Sequence, residues 1–428
     1  MAKTYDTYKD SGIAWIGSIP NEWNVEKARN IFKLRNSKGN EIPILLSATQ
    51  LNGMYPQHLL EGVVLVKQNT DLQTFRTVHK NDFIISLRSF QGGFEMSDYE
   101  GVCSPAYQVF YNTKEINHQY FKLLFKSQGF ISMINSLVIG IREGKNIQYG
   151  SFAYSFLPFP SVEEQEKIAN FVNEKCGEID SLISLQEEMI SELQAYKQSV
   201  ITEAVTKGLD PNVPMKDSGV EWIGMIPEGW NICKLKFLCS SIKDGSHFSP
   251  TTTEEGFPYI TAADVHGKGL DYANAKKISE KDYNDLVQSG CKAEKDDILL
   301  VKDGATTGRV GMKIENNPCV LLSSVAMLRV NTKSYPTYLM YMVSSDLLQQ
   351  QISIAMAGSA MPRITLTKLN TFIALEVPLS EQQAIASYLD EKTSQIDSLI
   401  ALKQEKITEL KDYKKSIIYE YVTGKKKV

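Results

Sequence analysis

The chain contains one short segment twice, about half a chain length apart. DSGIAWIGSIPNEW occupies residues 10–23 and DSGVEWIGMIPEGW occupies residues 217–230, with nine of fourteen positions identical. A longer pair of matching segments begins at Glu164 and at Glu381, and both copies contain IDSLI. These separations, 207 and 217 residues, are far too long for a solenoid repeat. The chain therefore has two halves, each with a short head, a variable middle and a matching tail.

Both tails are predicted to be long helices. Ser161-x-x-Glu164 and Ser380-x-x-Gln383 are capping-box patterns that closely follow prolines. Apolar residues then recur at alternating steps of three and four, which is typical of a coiled-coil seam. We assign the seam to Ile179, Leu182, Met189, Leu193, Tyr196 and Val200 in the first helix and to Ile396, Leu399, Leu410, Tyr413 and Ile417 in the second. Gly177 is expected to interrupt the first helix, and the alternative is that each helix packs only on its own domain.

If the two helices pair, connectivity requires them to run antiparallel. The first helix begins at the first variable segment and runs toward the second. The second helix begins at the second variable segment, so, if it pairs with the first helix, it must run back toward the first variable segment. The head at 10–23 then lies near the end of the second helix, and the head at 217–230 follows the end of the first. We expect the head tryptophans to anchor each head on a helix end: Trp15, Trp23, Trp222 and Trp230.

The variable middles are predicted to be α/β domains. Strands are indicated by apolar runs at 63–66, 83–87, 298–301 and 320–322, and helices follow near 120–137 and 335–356. The expected fold class is mixed α/β, with two α/β domains separated by a long antiparallel two-helix coiled coil and related by a pseudo-twofold duplication. The predicted boundaries are 1–160 for the first domain with its head, 161–207 for the first helix, 208–378 for the second domain with its head, and 379–428 for the second helix.

Charge and motifs exclude several classes of protein. The net charge of −4 is uneven, because 24–158 holds 14 Lys/Arg against 10 Asp/Glu while 159–208 holds 4 against 10. A DNA site would therefore be a local patch. We find no phosphate-binding loop, no adenine-methyltransferase motif and no metal-ligand spacing among the five histidines. The six cysteines form no C-x-x-C pair and indicate reduced thiols, and the lack of a leader or an apolar span favours a cytoplasmic location.

At these motifs the chain resembles the specificity subunits of type I DNA restriction–modification systems. The resemblance covers essentially the whole chain and depends on both heads, both IDSLI copies, PSVEEQ at 160–165, PLSEQQ at 378–383, IKDGSHFSP at 242–250 and GATTG at 304–308. The first variable domain departs from this pattern, with SFQGG in place of GATTG.

The resemblance implies a non-catalytic chain that binds double-stranded DNA. Each variable domain would recognise half of a split sequence, and the helix pair would act as a spacer and dock two methyltransferase subunits. Two nuclease–translocase subunits would join that core. No cofactor is expected on this chain, since S-adenosylmethionine and ATP would bind the partner subunits.

DNA recognition needs side chains that reach base edges and phosphates, and these are expected on the glycine-rich loops. The candidates are Arg76, Arg88, Ser89, Gln91, Arg142, Lys145 and Asn146 in the first domain and Lys243, Ser246, His247, Thr251, Lys302, Thr306, Thr307, Arg309 and Arg363 in the second. Arg88 aligns with Asp303 and Asn146 with Arg363, so the two domains should read different bases.

Two other functions remain open at the level of sequence. The chain could be a self-contained nuclease or methyltransferase whose motifs have drifted, and binding of S-adenosylmethionine without a partner would indicate that. It could also be a coiled-coil scaffold that does not bind DNA, in which case no salt-dependent DNA binding would be measured.

Overall fold

The computed structural model describes residues 3–39, 44–49, 53–60, 72–137, 147–357 and 362–428. The chain divides into two compact units, Met1–Glu187 with Glu405–Val428, and Glu188–Gln404. Each unit contains one variable segment and part of each of two long helices, α6 (Val162–Lys207) and α11 (Leu379–Val422). Among the described residues, no helix is both long and apolar enough to span a bilayer.

The first unit is built around two four-stranded sheets. Its elements are β1 (Tyr8–Asp10), β2 (Ser18–Pro20), β3 (Asn24–Lys27), α1 (Ala28–Ile31), β4 (Phe32–Arg35), β5 (Leu45–Thr49), β6 (Gly53–Pro56), β7 (Arg76–Val78), β8 (Phe83–Ile85), α2 (Ser89–Gly92), β9 (Glu95–Met96), β10 (Gly101–Cys103), β11 (Gln108–Asn112), α3 (His118–Lys126), α4 (Gln128–Ser136), α5 (Tyr149–Phe152) and β12 (Phe156–Phe159), followed by α6. The sheets have the orders β6-β5-β10-β7 and β4-β11-β8-β9, and the head forms the β1-β2 hairpin.

The second unit contains one five-stranded and one four-stranded sheet. Its elements are β13 (Met215–Asp217), β14 (Met225–Pro227), β15 (Asn231–Lys234), β16 (Cys239–Asp244), β17 (Thr252–Thr253), β18 (Phe257–Ile260), β19 (Gly267–Lys268), β20 (Lys276–Ile278), α7 (Glu280–Gln288), β21 (Ile298–Val301), β22 (Val310–Met312), β23 (Val320–Leu321), β24 (Val325–Val330), α8 (Pro336–Ser344), α9 (Asp346–Met356), α10 (Leu366–Thr371) and β25 (Ile373–Glu376). The orders are β16-β24-β21-β22-β19 and β17-β20-β18-β23, and the head forms the β13-β14 hairpin.

The two units share one topology although their variable sequences match poorly. The order β4-β11-β8-β9 corresponds to β16-β24-β21-β22, and each second sheet contains one parallel pair, β5 with β10 and β18 with β23. A short ladder closes each domain, β3 with β12 and β15 with β25. The mixed α/β fold class predicted from the sequence is confirmed.

The core of the first domain is unusually aromatic. Phenylalanines from the sheet face pack edge-to-face on phenylalanines from α3 and α4, with Phe32 and Phe121 ring centroids 5.2 Å apart. Such pairs stabilise a core beyond the area that they bury. The fully buried members are Phe32, Phe83, Phe94, Phe110, Phe121, Phe125, Phe130 and Phe152.

Several predicted elements need correction. The helices predicted near 120–137 and 335–356 are each two helices, with breaks at Ser127 and Ser345. Gly177 does not interrupt α6, which runs unbroken through it. The predicted strand at 63–66 lies outside the described residues. The Ser380 cap is not used, because α11 begins at Leu379.

The helix seam exists, but its phase differs from the prediction. Steps of three and four residues connect one series of buried and half-buried positions in α6, which α11 repeats 217 residues later, and Met189 and Val200 beside it are also half-buried. The series is Gln165, Ile168, Val172, Cys176, Ile179, Ile183, Gln186, Ile190, Leu193, Lys197 and Ile201. Ile179, Leu193, Val200, Ile396, Leu410 and Ile417 were therefore placed on the buried face correctly, and Met189 is half-buried. The side chains of Leu182, Tyr196, Leu399 and Tyr413 are instead 47%, 59%, 47% and 56% exposed.

The predicted phase was wrong because a lysine occupies one position of the seam, and a search for apolar residues alone does not include it. Lys197 and Lys414 place their aliphatic stems along the seam and carry their ammonium groups to a carboxylate at its edge. Lys197 Nζ lies 2.7 Å from Asp397, and Lys414 Nζ lies 2.6 Å from Asp180. Because the neighbouring Tyr196 and Tyr413 are aromatic, the sequence pattern favoured them instead.

Within each unit the two helices run antiparallel, as predicted. In the first unit Asp180 pairs with Lys414, and the Phe171 ring lies 4.7 Å from Tyr421, so residue numbers fall along one helix as they rise along the other. In the second unit Lys197 pairs with Asp397, and Met189 contacts Lys403 in the same sense.

Each head packs on a helix end inside its own unit, which confirms the expected connectivity. The Tyr419 hydroxyl donates to the Trp15 carbonyl at 3.1 Å, and the Lys427 amide donates to the Lys3 carbonyl at 2.9 Å. In the second unit, Trp230 is fully buried and donates to Glu381 at 2.9 Å. Trp23 is also buried, whereas Trp222 is 46% exposed and was wrongly expected to be an anchor.

We expect Ile183→Ala to destabilise the first unit by about 2–4 kcal/mol, since it removes a buried seam side chain. The thermal unfolding midpoint should fall by roughly 5–15 °C. The matched control is Leu182→Ala, which truncates an exposed neighbour and should change stability by less than about 0.5 kcal/mol. Equal losses from both variants would contradict the observed phase.

Candidate nucleic-acid interface

Three loops of the second unit meet beyond the ends of its central strands. They comprise residues 245–250 after β16, residues 302–309 between β21 and β22, and residues 362–364 before α10. Backbone hydrogen bonds join the second and third of these loops: the Gly304 amide donates to the Pro362 carbonyl at 3.0 Å, and the Ile364 amide donates to the Lys302 carbonyl at 2.8 Å. We call this group of residues the three-loop cluster.

A buried lysine lies at the centre of the three-loop cluster. Lys302 is only 2% exposed, and its ammonium group lies 3.1 Å from Asp303 and 3.4 Å from Asp244. Arg363, whose side chain is 59% exposed, lies 3.2 Å from the second oxygen of Asp303. The end of β16 and the second and third loops therefore share one ionic network, and Lys302 is too deeply buried to contact a ligand directly.

The loop between β21 and β22 is held mainly by its own hydroxyl and backbone groups. The Thr307 hydroxyl donates to the Gly304 carbonyl at 2.6 Å, and the Arg309 amide donates to the Thr306 carbonyl at 3.1 Å. Gly308 has φ +97°, and a Cβ there would lie 2.8 Å from the Gln349 amide oxygen, so the turn favours glycine. The side chains of Thr306 and Arg309 are half-buried at the loop surface.

The other candidates of this unit differ in position. Ser246 is buried and bonds to the Phe248 backbone, whereas His247 is exposed and lies 3.3 Å from Asp244. Lys243 is exposed on β16, and Thr251 is exposed directly before β17. Seven of the nine candidates thus belong to the three-loop cluster, and Lys243 and Thr251 lie outside it.

In the first unit the corresponding loop is the short helix α2. Gln91 is exposed on α2 and Arg88 is exposed directly before it, whereas Ser89 is 1% exposed and its hydroxyl accepts from the Ser86 amide at 2.8 Å. Arg88 lies near Tyr107, whose pKa is raised by burial and lowered to a smaller extent by this arginine. Ser89 is therefore a residue that shapes the loop, and Arg88 and Gln91 are free to contact a ligand.

The base of α2 is fixed by a second buried ion pair. Lys126 donates to the Gly92 carbonyl at 2.9 Å and to Glu95 at 2.5 Å. Burial raises the pKa of Glu95, and the charge of Lys126 opposes that effect. Gly93 has φ +77°, and a Cβ there would lie 1.9 Å from the Phe125 carbonyl oxygen, so only glycine fits.

The remaining candidates of the first unit are not brought to α2. Arg76 lies on β7, and its Nε is buried without a hydrogen-bond partner in the described part of the chain. Arg142, Lys145 and Asn146 lie outside the described residues.

Sequence reasoning missed Asp244 and Asp303, the carboxylates that fix Lys302 and Arg363 in place. A search for groups that bind DNA passes over acidic residues, although Asp244 stands within IKDGSHFSP and Asp303 directly precedes GATTG. The signal that could have found them is the tripeptide KDG, which the sequence contains at 243–245 and at 302–304.

The structure offers no evidence of thiol or metal chemistry at these loops. The six cysteines are free, and burial raises the pKa of Cys103 and Cys239 to about 12 and that of Cys233 and Cys319 to about 11. Thiols held neutral in this way are poor nucleophiles. Within the described ranges, no group of three His, Cys, Asp or Glu side chains could hold a metal ion.

Comparison with known proteins agrees with the resemblance seen in the sequence. The model of the type I restriction modification DNA specificity domain matches residues 227–412, which include β15, the three-loop cluster and most of α11. The match is supported along the rest of the chain by the type I restriction enzyme MjaVIII specificity subunit of Methanocaldococcus jannaschii, which is 25% identical over 96% of this chain and 94% of that protein. Along nearly its whole length, the chain is therefore similar to the specificity subunits of type I restriction enzymes.

Other specificity subunits and solved structures agree. The EcoBI specificity subunit of Escherichia coli is 23% identical over 69% of this chain and 63% of that protein. A chain from a structural study of complex assembly and conformational transition of the type I system has a TM-score of 0.67, with 16% identity over 94% of this chain and 98% of that chain. The HsdS subunit of Thermoanaerobacter tengcongensis has a TM-score of 0.51, with 17% identity over 95% and 98%.

The matched model describes a DNA specificity domain, and the matched curated proteins are specificity subunits rather than catalytic subunits of type I restriction enzymes. The three-loop cluster is consistent with DNA recognition, because it combines an ionic base with the exposed side chains of Arg363 and His247 and the half-buried Thr306.

We expect Lys302→Met to destabilise the second unit by about 2–4 kcal/mol, because it removes the buried cation between Asp244 and Asp303 and leaves Asp303 with only the exposed Arg363 beside it. Thermal unfolding of the chain measures this loss. Lys243→Met is the matched control, since Lys243 is an exposed lysine beside Asp244, and its effect should stay within about 0.5 kcal/mol. A stable Lys302→Met variant would show that the ionic network does not hold the loops.

Proposed function

We propose that each unit of this specificity subunit reads one half of a split DNA sequence, while the helix pair sets the gap and docks two methyltransferase subunits. The observation that carries the proposal is one topology repeated with different loop chemistry. The β8–β9 loop presents Arg88 and Gln91, whereas the β21–β22 loop presents Thr306 and Arg309. Equal scaffolds with unequal loops are suited to two different half-sites on one duplex.

The exposed side chains suit base-edge recognition. Arginine can donate two hydrogen bonds to guanine, and glutamine can pair with adenine in the same bidentate way. Arg88 and Gln91 stand on a helix whose base is fixed, and Arg363 stands against Asp303, so these groups are held before DNA arrives. Preorganised groups lose less conformational entropy on binding.

Exposed apolar residues on the helices support the docking of two copies of one partner. Leu182 and Leu185 are 47% and 48% exposed, and their equivalents Leu399 and Leu402 are 47% and 61% exposed. We call each of these leucine pairs a docking patch, one in each unit. Single exposed apolar residues are ordinary, but the same pair repeated 217 residues apart favours a protein contact at both.

We also propose that this chain binds no cofactor of its own. S-adenosylmethionine and ATP would bind the methyltransferase subunits and the two nuclease–translocase subunits of the full complex. Calorimetry of the purified chain with S-adenosylmethionine tests this point, and binding without a partner would instead favour a self-contained methyltransferase.

Mapping of methylated adenines tests the reading of half-sites. Arg88→Ala should relax one half-site, with a loss of about 1–3 kcal/mol if Arg88 makes a bidentate contact, and Arg309→Ala should relax only the other. Each variant is the control for the other. A uniform loss over all DNA sequences would mean that the side chain touches phosphate or maintains the fold.

The same map tests the spacing. Helices of 46 and 44 residues extend roughly 69 and 66 Å at about 1.5 Å per residue. Insertion of seven residues after Gln186 and after Lys403 preserves the heptad phase and lengthens each helix by about 10 Å. The gap should grow by up to about three base pairs, at about 3.4 Å each, with both half-sites unchanged. An unchanged gap in an active variant would refute the spacer role.

Native mass spectrometry tests the docking patches. Leu182→Glu with Leu185→Glu should reduce bound methyltransferase from two copies to one, because two carboxylates would have to be buried in an apolar contact. The same change at Leu399 and Leu402 should remove the other copy. Ser184→Glu, on the opposite flank of α6, is the control and should keep both copies. Two bound copies in either double variant would place docking elsewhere.

A further inference from the structure

The side chain of Phe248 is exposed to solvent, while its backbone is restrained by hydrogen bonds. The residue is 65% exposed. The Ser246 hydroxyl donates to its carbonyl at 2.8 Å and accepts from its amide at 3.0 Å, and the Tyr259 hydroxyl donates to the same carbonyl at 3.1 Å. Burial raises the pKa of Tyr259, so its hydroxyl remains a donor. Three hydrogen bonds therefore fix the backbone of an aromatic residue whose side chain is mostly without protein contacts.

The position of Phe248 indicates what the ring contacts. It belongs to the three-loop cluster, next to His247, whose side chain is 67% exposed. Asp244 joins the same loop to the ionic network of Lys302, Asp303 and Arg363. The loops of this cluster thus expose His247 and Arg363 together with the Phe248 ring, and a large protein partner with an apolar surface would have to bury those polar side chains. A DNA duplex satisfies both demands, because it offers phosphates to the cations and base faces to the ring.

We propose that Phe248 is a wedge that inserts at one base step of the half-site read by the second unit. Apolar side chains that enter a base step unstack it partly and kink the duplex. The inference rests on the proposed reading of DNA by this unit, and it adds a contact that carries no hydrogen bond. Pyrimidine–purine steps deform most easily, so insertion of Phe248 costs the least free energy there. The wedge therefore favours half-sites that contain such a step.

The chain offers a matched control at the other end of the same strand. Phe237 is 60% exposed and precedes β16, while Phe248 follows it. Its ring lies 4.9 Å from Lys236 Nζ, and none of the candidate DNA-binding residues belongs to its segment. Truncation of Phe237 removes the same ring at similar exposure without touching the three-loop cluster.

The experiment uses the specificity subunit assembled with its methyltransferase subunits on a duplex that carries the mapped target. 2-Aminopurine is placed at successive positions of both half-sites, and its fluorescence reports unstacking. Phe248→Ala should abolish the fluorescence rise at one step of one half-site and weaken binding about ten- to a hundredfold, which corresponds to the loss of a stacked base. Phe248→Leu should retain most of both signals, because leucine also serves as a wedge. Phe237→Ala should match the unaltered complex.

Two variants measured together distinguish failure of the wedge from failure of DNA reading by the second unit. Arg309→Ala and Phe248→Ala are measured side by side. If Arg309→Ala weakens binding while Phe248→Ala changes neither fluorescence nor affinity, the wedge is overturned and the second unit still reads DNA. If both variants are silent, reading by the second unit fails as well. If Phe248→Ala instead prevents assembly with the methyltransferase, the ring contacts protein, and the wedge is again overturned.

Discussion

The structure depends on a helix seam that the chain builds twice from the same residues. Ile179, Ile183 and Ile190 recur as Ile396, Ile400 and Ile407, and a lysine–aspartate pair stands at the matching place in each unit. Each unit thus holds its own antiparallel stretch of the seam, and each domain is attached directly to one of the two helices.

The two units use different residues to build a loop that is rigid at its base and chemically varied at its surface. The second unit obtains rigidity from a buried lysine between two carboxylates, whereas the first uses a short helix fixed by Lys126, Glu95 and a glycine at which no side chain fits. Buried charges that lie beside opposite charges hold a geometry without requiring a large core. Because the base is separate from the surface, the exposed loop residues can change while the fold remains.

The parts of the fold that could be predicted from sequence are those fixed by repetition and connectivity. The two helices, their antiparallel direction and the anchoring of the heads follow from order along the chain. The seam phase could not be predicted, because Lys197 looks polar in sequence and becomes a seam residue only when Asp397 lies across from it. The candidate site could be predicted only in part, because burial also depends on contacts that the sequence does not show. Exposed Arg88 and Gln91 follow from loop position, but the burial of Ser89 and Lys302 depends on neighbours far along the chain.

The division of the chain into units has a consequence for how the protein is made. The second unit is one continuous stretch, Glu188–Gln404, whereas the first joins Met1–Glu187 to Glu405–Val428. During synthesis the second unit can therefore complete its core while the first still lacks the helix that covers Val172, Cys176 and Ile179. Contacts of long sequence separation form slowly, and an uncovered apolar face is prone to wrong association. The unit whose first residues emerge first from the ribosome is thus the unit that completes its core last.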